Sequence, residues 1–288
     1  MKKILQKSTI LLLIINMVLL LIIYDTQDKV FAASDSSISD EIIERAYDEG
    51  IKDGYIISTK VTIDQWKEQN VEYEQCYEDG IKEGVLPEGK DYIEWLKENC
   101  YGQGPKEELF EEVPITNSLM RSTVNGFTLK RGDILITNGT SSAGILGHAA
   151  ICNGDNVVLD MAGAGLSSRQ KSQSWWINHY KNNGSNRWVK VYRMKDYNLA
   201  KQAARWADRN YYSTTGSSTQ NIFPTYSLSG SLYSKNPSYC SKLVFQAYYF
   251  GTGSTPVMTE PPSFRTIHPY DLINYFNSSY KPVCKHVY

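Results

Sequence analysis

From Leu243 the apolar residues Leu243, Val244, Ala247, Tyr248 and Phe250 return at helical spacing, and Asn236, Pro237 and Ser238 ahead of them carry turn and cap chemistry. The pattern predicts a helix whose first turn holds Cys240. Upstream the period changes. Arg131-Gly132-Asp133 opens a strand-like run (Ile134, Leu135, Ile136), a Gly/Ser-rich loop follows from Asn138 to Gly144, and His148 to Cys152 reads as a second short strand. Asn153-Gly154-Asp155 is a turn signal, and Asn156 to Met161 reads as the returning strand. Nearer the start, AYDEGIKDG (Ala46 to Gly54) recurs as CYEDGIKEG (Cys76 to Gly84), an offset of 30 that also matches Ile63 with Ile93, Asp64 with Glu94, Lys67 with Lys97 and Glu68 with Glu98. Two copies of a helix–turn–helix unit are predicted, with Gly54 and Gly84 ending the first helix of each. At the head of the chain Lys2, Lys3 and Lys7 precede an apolar run from Ile10 to Tyr24, and Val30-Phe31-Ala32 offers a small-residue cleavage site. A run of 15 residues is short of the ~20 needed to span a bilayer, so a cleaved signal peptide over residues 1–32 is favoured over an uncleaved anchor.

Charge divides the chain beyond the leader. Residues 34–115 hold 22 acidic against 8 basic side chains and residues 116–288 hold 7 against 18, so a chain of 288 residues with a formal net charge of −1 is strongly polarised. An acidic helical region at 33–115 and a basic domain at 116–288 are the expected division. The acidic region has three readings: a spacer, a cover drawn over the basic domain by opposite charge, or a module that binds a partner or the wall. Five cysteines make no disulfide framework in an exported chain of this length, and the odd count leaves at least one thiol free. Cys76 and Cys100 are the pair that could bridge. No Cys/His spacing suits zinc and no Gly-rich phosphate loop follows a strand, so no metal or cofactor is expected.

At the start of a helix, unpaired backbone N–H groups and the positive end of the dipole favour an anion, which lowers the pKa of Cys240, while burial opposes this. If the hairpin loop is the three residues Asn153 to Asp155, Cys152 pairs with Asn156, Ala150 with Val158, and His148 with Asp160, within reach of a carboxylate–imidazole bond. A two-residue loop turns Asp160 to the opposite face. On the first register Cys240 is nucleophile, His148 its base and Asp160 the group that fixes the ring, with the backbone N–H of Cys240 as one oxyanion donor. Cys152 reads as core, and His179, His268 and His286 as surface or packing histidines.

The pattern RGDILIT…GHAAICNGDNVVLDM, with a polar residue 12 positions after the histidine, and the later YCSKLVFQAY helix resemble the circularly permuted papain-like cysteine hydrolases of the NlpC-type superfamily. Within it the resemblance is to the YiiX/YebB-like group, related in arrangement to lecithin retinol acyltransferase. IHPYDLI (Ile267 to Ile273) is similar to the Pro-x-Asp-Leu element that closes such domains. The likeness spans roughly residues 125–272. It implies an α+β fold, a permuted papain-like domain with a small antiparallel sheet packed on helices, preceded here by the helical repeats. It carries the family's nucleophile onto Cys240, its base onto His148 and its third polar position onto Asp160. Two departures stand out: Lys242 where an acidic residue is common, adding positive charge near the thiolate, and Asp in a third place often held by His, Asn or Gln. The resemblance implies amide cleavage in cell-wall peptides through an acyl-enzyme, with a peptide or peptidoglycan fragment as substrate and an anionic wall polymer as a further partner of the basic domain. Its alternatives are an acyltransferase or (thio)esterase acting on lipid-like acyl groups, and a non-catalytic wall- or partner-binding protein. The expected location is secreted or cell-wall associated, with no nucleic acid as partner and no membrane span after leader cleavage. Oligomeric state is not legible.

Overall fold

The glycines that close the two sequence repeats sit at φ +71° (Gly54) and +67° (Gly84), the left-handed region where a side chain is strained. In the first copy Tyr55 N and Ile56 N donate to Gly50 O; 30 residues on, Val85 N and Leu86 N donate to Gly80 O. The structure, a computed structural model, describes residues 38–106, 123–124, 126–154 and 157–288. The leader expected at 1–32 and the division at 115/116 lie outside the described residues. Residues 43–288 form one compact unit.

Three helices make up the repeat region: α1 (Asp40–Lys52), α2 (Ile63–Lys82) and α3 (Tyr92–Glu98). The two helix–turn–helix copies share α2, which is the second helix of one copy run straight into the first helix of the next. Thr62 starts α2 with a capping box completed by Gln65, and Asp91 caps α3 through Glu94 N, each satisfying backbone donors that the helix leaves open.

The rest is mixed α+β. A short ribbon, β1 (Thr123–Val124) with β2 (Phe127–Thr128), precedes a six-stranded antiparallel sheet. Its strands are β3 (Ile134–Thr137), β4 (His148–Gly154), β5 (Val157–Met161), β6 (Ser168–Ser172), β7 (Val189–Arg193) and β8 (Val283–Val287), in the spatial order β6-β5-β4-β3-β7-β8. With α4 (Gln173–Lys181), α5 (Tyr197–Tyr211) and α6 (Cys240–Gly251), the described residues hold six α-helices. One face of the sheet puts Leu135, Ala150, Cys152, Val158, Val189 and Val191 against Trp176, Ile177 and Tyr180 of α4. Ala149 and Ile151, on the other face of β4, are also fully buried, and α5 and α6 pack against that strand and each other. Two buried faces explain why β4 is apolar throughout rather than alternating. Asp133 of the Arg-Gly-Asp turn is an anchor. Its carboxylate takes a bidentate pair from Arg193 (2.7 and 2.6 Å) and the Lys130 amide (2.7 Å), which ties the head of β3 to the end of β7.

The hairpin register differs from the expected one. Ile151 pairs with Leu159 and Cys152 with Val158, with a bulge between Cys152 and Gly154. Continuing that register sets Asp160 opposite Ala150, not His148. The slip is two residues, so the side-chain parity is unchanged and His148 and Asp160 share a face as diagonal neighbours. The turn residues Asp155 and Asn156 lie outside the described residues.

Candidate active site

Cys240 is the first residue of α6, after an N-cap at Tyr239 that makes no side-chain cap bond. The cap chemistry expected from Asn236 and Ser238 is not used. The N-terminal donors of α6 are thus not occupied by a capping side chain. His148 opens β4, and α6 packs against that strand, with the Ala149 amide among the groups that lower the Cys240 thiol. This fixes the start of α6 against the His148 end of β4. Cys240 and His148 are each 1% exposed and Asp160 is fully buried.

The His148 ring is held on both sides. Its Nε2 lies 2.9 Å from Asp160 Oδ2, and Cys240 acts on the ring as well. Asp160 Oδ2 also accepts from Trp176 Nε1 (2.8 Å), and Oδ1 accepts from Arg169 Nε (2.9 Å). Arg169 is the cross-strand partner of Asp160 in the β5–β6 register. Its other arm reaches Tyr180 Oη at 3.0 Å. Trp176 and Tyr180 close over the imidazole, with ring centroids 5.9 and 5.2 Å away. Burial pushes the Asp160 carboxyl up, but bonding to His148 and Arg169 outweighs it and brings the group down to about 2. Burial likewise disfavours the His148 cation, yet Asp160 and Cys240 raise it to about 9. For Cys240 the burial penalty is overcome by His148, the Ala149 amide and Ser241, and the thiol is lowered. Asp160 and Cys240 thus favour the charged imidazole, and His148 favours the charged sulfur.

The other thiols behave differently. Burial pushes Cys76, Cys100 and Cys152 up to about 12. All five cysteines are free, so the disulfide considered for Cys76 and Cys100 is not made. Cys76 Sγ instead meets Ser142 O at 3.0 Å, and Cys100 bonds Tyr55. Cys152 lies in the core under α4, as its phase suggested. His179 is exposed and stacked on Trp175, while His286 stacks on Phe127. His268 is buried and bonds Asn99 Oδ1 at 2.9 Å. Lys242 corrects the reading of the sequence: its ammonium is turned to Ser231 O (2.7 Å) and Pro237 O (2.8 Å), and it is not among the groups that lower the Cys240 thiol.

Sequence reasoning missed the donors to Asp160, although an arginine nine positions after the aspartate on the next strand was a usable signal. It missed the support beneath His148 as well. The loop from Asn138 to Gly147 is gripped by the repeat helices: Gly144 N donates to Cys76 O (2.8 Å), Trp95 Nε1 to Gly144 O (2.9 Å) and Leu146 N to Asn99 Oδ1 (2.9 Å). Gly147, at φ +76°, lies so close to the Tyr270 ring that a Cβ there would collide with it. Tyr270 belongs to the IHPYDLI segment, which thus seats the residue before the histidine. Tyr226 donates to Ser142 Oγ at 2.7 Å. Burial, and then the Cys240 charge, raises its phenol.

The family described as "Lipoprotein N-acylation protein LnsA-like" matches residues 108–288, a span holding Cys240, His148 and Asp160. An uncharacterized 30.3 kDa protein of Bacillus thuringiensis is 48% identical over 259 residues, 88% of this chain and 90% of that one. No solved structure matches the chain. Among the described residues no helix is long and apolar enough to cross a membrane.

Proposed function

Because the chain belongs to the family of LnsA-like lipoprotein N-acylation proteins, a family of acyl-related catalysis, we propose that it is a cysteine acyltransferase. In this reading Cys240 carries the acyl group between a lipid-like ester donor and an amine, the N-terminus of a lipoprotein. The observation that carries the reading is the thiol: Cys240 is lowered by an imidazole that a buried carboxylate orients, whereas burial raises Cys76, Cys100 and Cys152. The family likeness moves the balance from cell-wall peptide cleavage to acyl transfer. Both proceed through the same thioester.

The Cys240 thiolate attacks the donor's carbonyl carbon. The oxyanion is held by the Cys240 amide, and Tyr226 is the second donor we favour, its O–H turning from Ser142 Oγ to the oxyanion. Collapse expels the donor alkoxide, which takes the proton of the His148 imidazolium and leaves as alcohol. The acyl group now sits on sulfur as a thioester. The acceptor amine attacks it, His148 takes one amine proton, and the thiolate leaves with the imidazolium restored and an amide formed. Asp160 keeps the ring in place through both halves. The fold that would present this set is the permuted papain-like arrangement, and an exported location would bring it to lipid and lipoprotein.

Intact-protein mass spectrometry after incubation with phosphatidylglycerol tests the reading. An acyl mass on wild type, removed by hydroxylamine or by a lipopeptide with a free N-terminal amine and absent in Cys240→Ala, is expected. No adduct, with cleavage of muropeptides by the wild type instead, would return the protein to peptide hydrolysis.

A further inference from the structure

At the far end of β4 from His148, an open cleft of about 960 Å³ is lined by Arg131, Lys201, Arg205 and Arg209, with Asp208 the one carboxylate among the lining residues described. A strand of seven residues separates its ends by about 20 Å, so this cleft is distinct from the Cys240 site. Lys201, Arg205 and Arg209 are spaced four apart on α5 and so form one stripe of the helix. Arg131 faces them from the Arg-Gly-Asp turn. The carboxylate pairs with Arg209 alone of the stripe. Asp208 Oδ1 is taken by two amides, Asn153 Nδ2 (3.2 Å) and Gln170 Nε2 (3.0 Å), and Oδ2 is 3.7 Å from Arg209 Nη1.

Two further observations point to a ligand. Arg209 Nη1 is buried with no hydrogen-bond partner among the described residues. Its guanidinium lies against Gly216, where any Cβ would overlap it, so Nη1 is covered at the wall of the cleft. A buried donor left without a hydrogen bond is costly unless something supplies an acceptor. Asn153, 8% exposed, likewise has a buried Oδ1 with no hydrogen-bond partner among the described residues. Guanidinium forks match phosphate oxygens two at a time.

We infer that this cleft binds a phosphate group, either free phosphate or the phosphodiester of a lipid headgroup, at a site separate from the acyl chemistry. The inference does not depend on the acyltransferase reading. Calorimetric titration of the full chain tests it, with inorganic phosphate in one arm and short-chain phosphatidylglycerol below its micelle concentration in the other. Saturable binding in at least one arm is expected. The double variant Lys201→Glu, Arg205→Glu, both exposed positions on α5, should weaken it by about 10-fold or more. Arg209→Lys keeps the charge but loses the fork and should weaken it too. Lys195→Glu, an exposed charge reversal outside the lining, should not. Binding by phosphate alone assigns a free anion, and tighter binding of the lipid assigns a headgroup. No binding in either arm overturns the inference, as does a double variant that binds like wild type or a Lys195→Glu loss of equal size.

Discussion

Cys76, Cys100 and Cys152 are raised to about 12 by burial, whereas Cys240, just as deep, is lowered because an imidazole bonds it. Depth alone therefore does not decide reactivity here. His148→Ala removes that partner and should slow iodoacetamide alkylation of Cys240 at pH 7 by at least roughly 10-fold, the rate recovering only toward alkaline pH. Tyr226→Phe should leave alkylation unchanged while lowering acyl transfer by about 100-fold, the size of one lost oxyanion donor; equal loss in both assays would make Tyr226 a packing residue. Two buried histidines give stability opposite pH dependences. The folded pKa of His148, about 9, lies above the usual 6.5, so its contribution is complete below 6.5 and is lost as pH rises through 9. Burial holds His268 down to about 3, so its contribution is complete above 6.5 and is lost as pH falls toward 3. A melting-temperature profile should peak near neutrality, and His268→Gln should flatten its acid limb alone.

The repeat helices act on the site through the loop that leads into β4. Gly144, Leu146 and Ser142 each bond a residue of α2, α3 or the turn after α3, and none of these contacts touches the sulfur or the imidazole. Asn99→Ala strips the acceptor from the buried Leu146 N–H and from His268 Nδ1. An unmet buried donor costs about 1–3 kcal/mol, so both melting temperature and turnover should drop, with turnover recovering in Asn99→Asp. Gly147→Ala combines a positive φ with a collision against Tyr270. It should displace His148, seen as loss of the fast alkylation of Cys240 in protein that still folds.

Across the whole molecule, the acidic helices bond the loop that leads into His148, and a role as its brace joins the spacer, cover and partner-module readings that charge suggested. Expressing the chain without residues 38–106 should therefore reduce acyl transfer sharply at both low and high salt. A detachable electrostatic cover would instead leave activity intact or raised at low salt, where its attraction is strongest. Much of this was legible in the sequence because it is local: the period of the α6 residues, the glycines that end α1 and α2, the position of Cys240 at a helix start, and the shared face of His148 and Asp160, which survives a two-residue slip because strand parity has period two. The rest needed the packed chain. Whether burial or bonding sets a pKa depends on groups that sequence separates, so the lowering of Cys240, the donors Arg169 and Trp176 around Asp160, and the turning of Lys242 away from the thiol appear only in three dimensions. The same holds for the grip of Trp95 and Asn99 on a loop some 50 residues away, since nothing in local pattern records which distant backbone will meet a buried side chain.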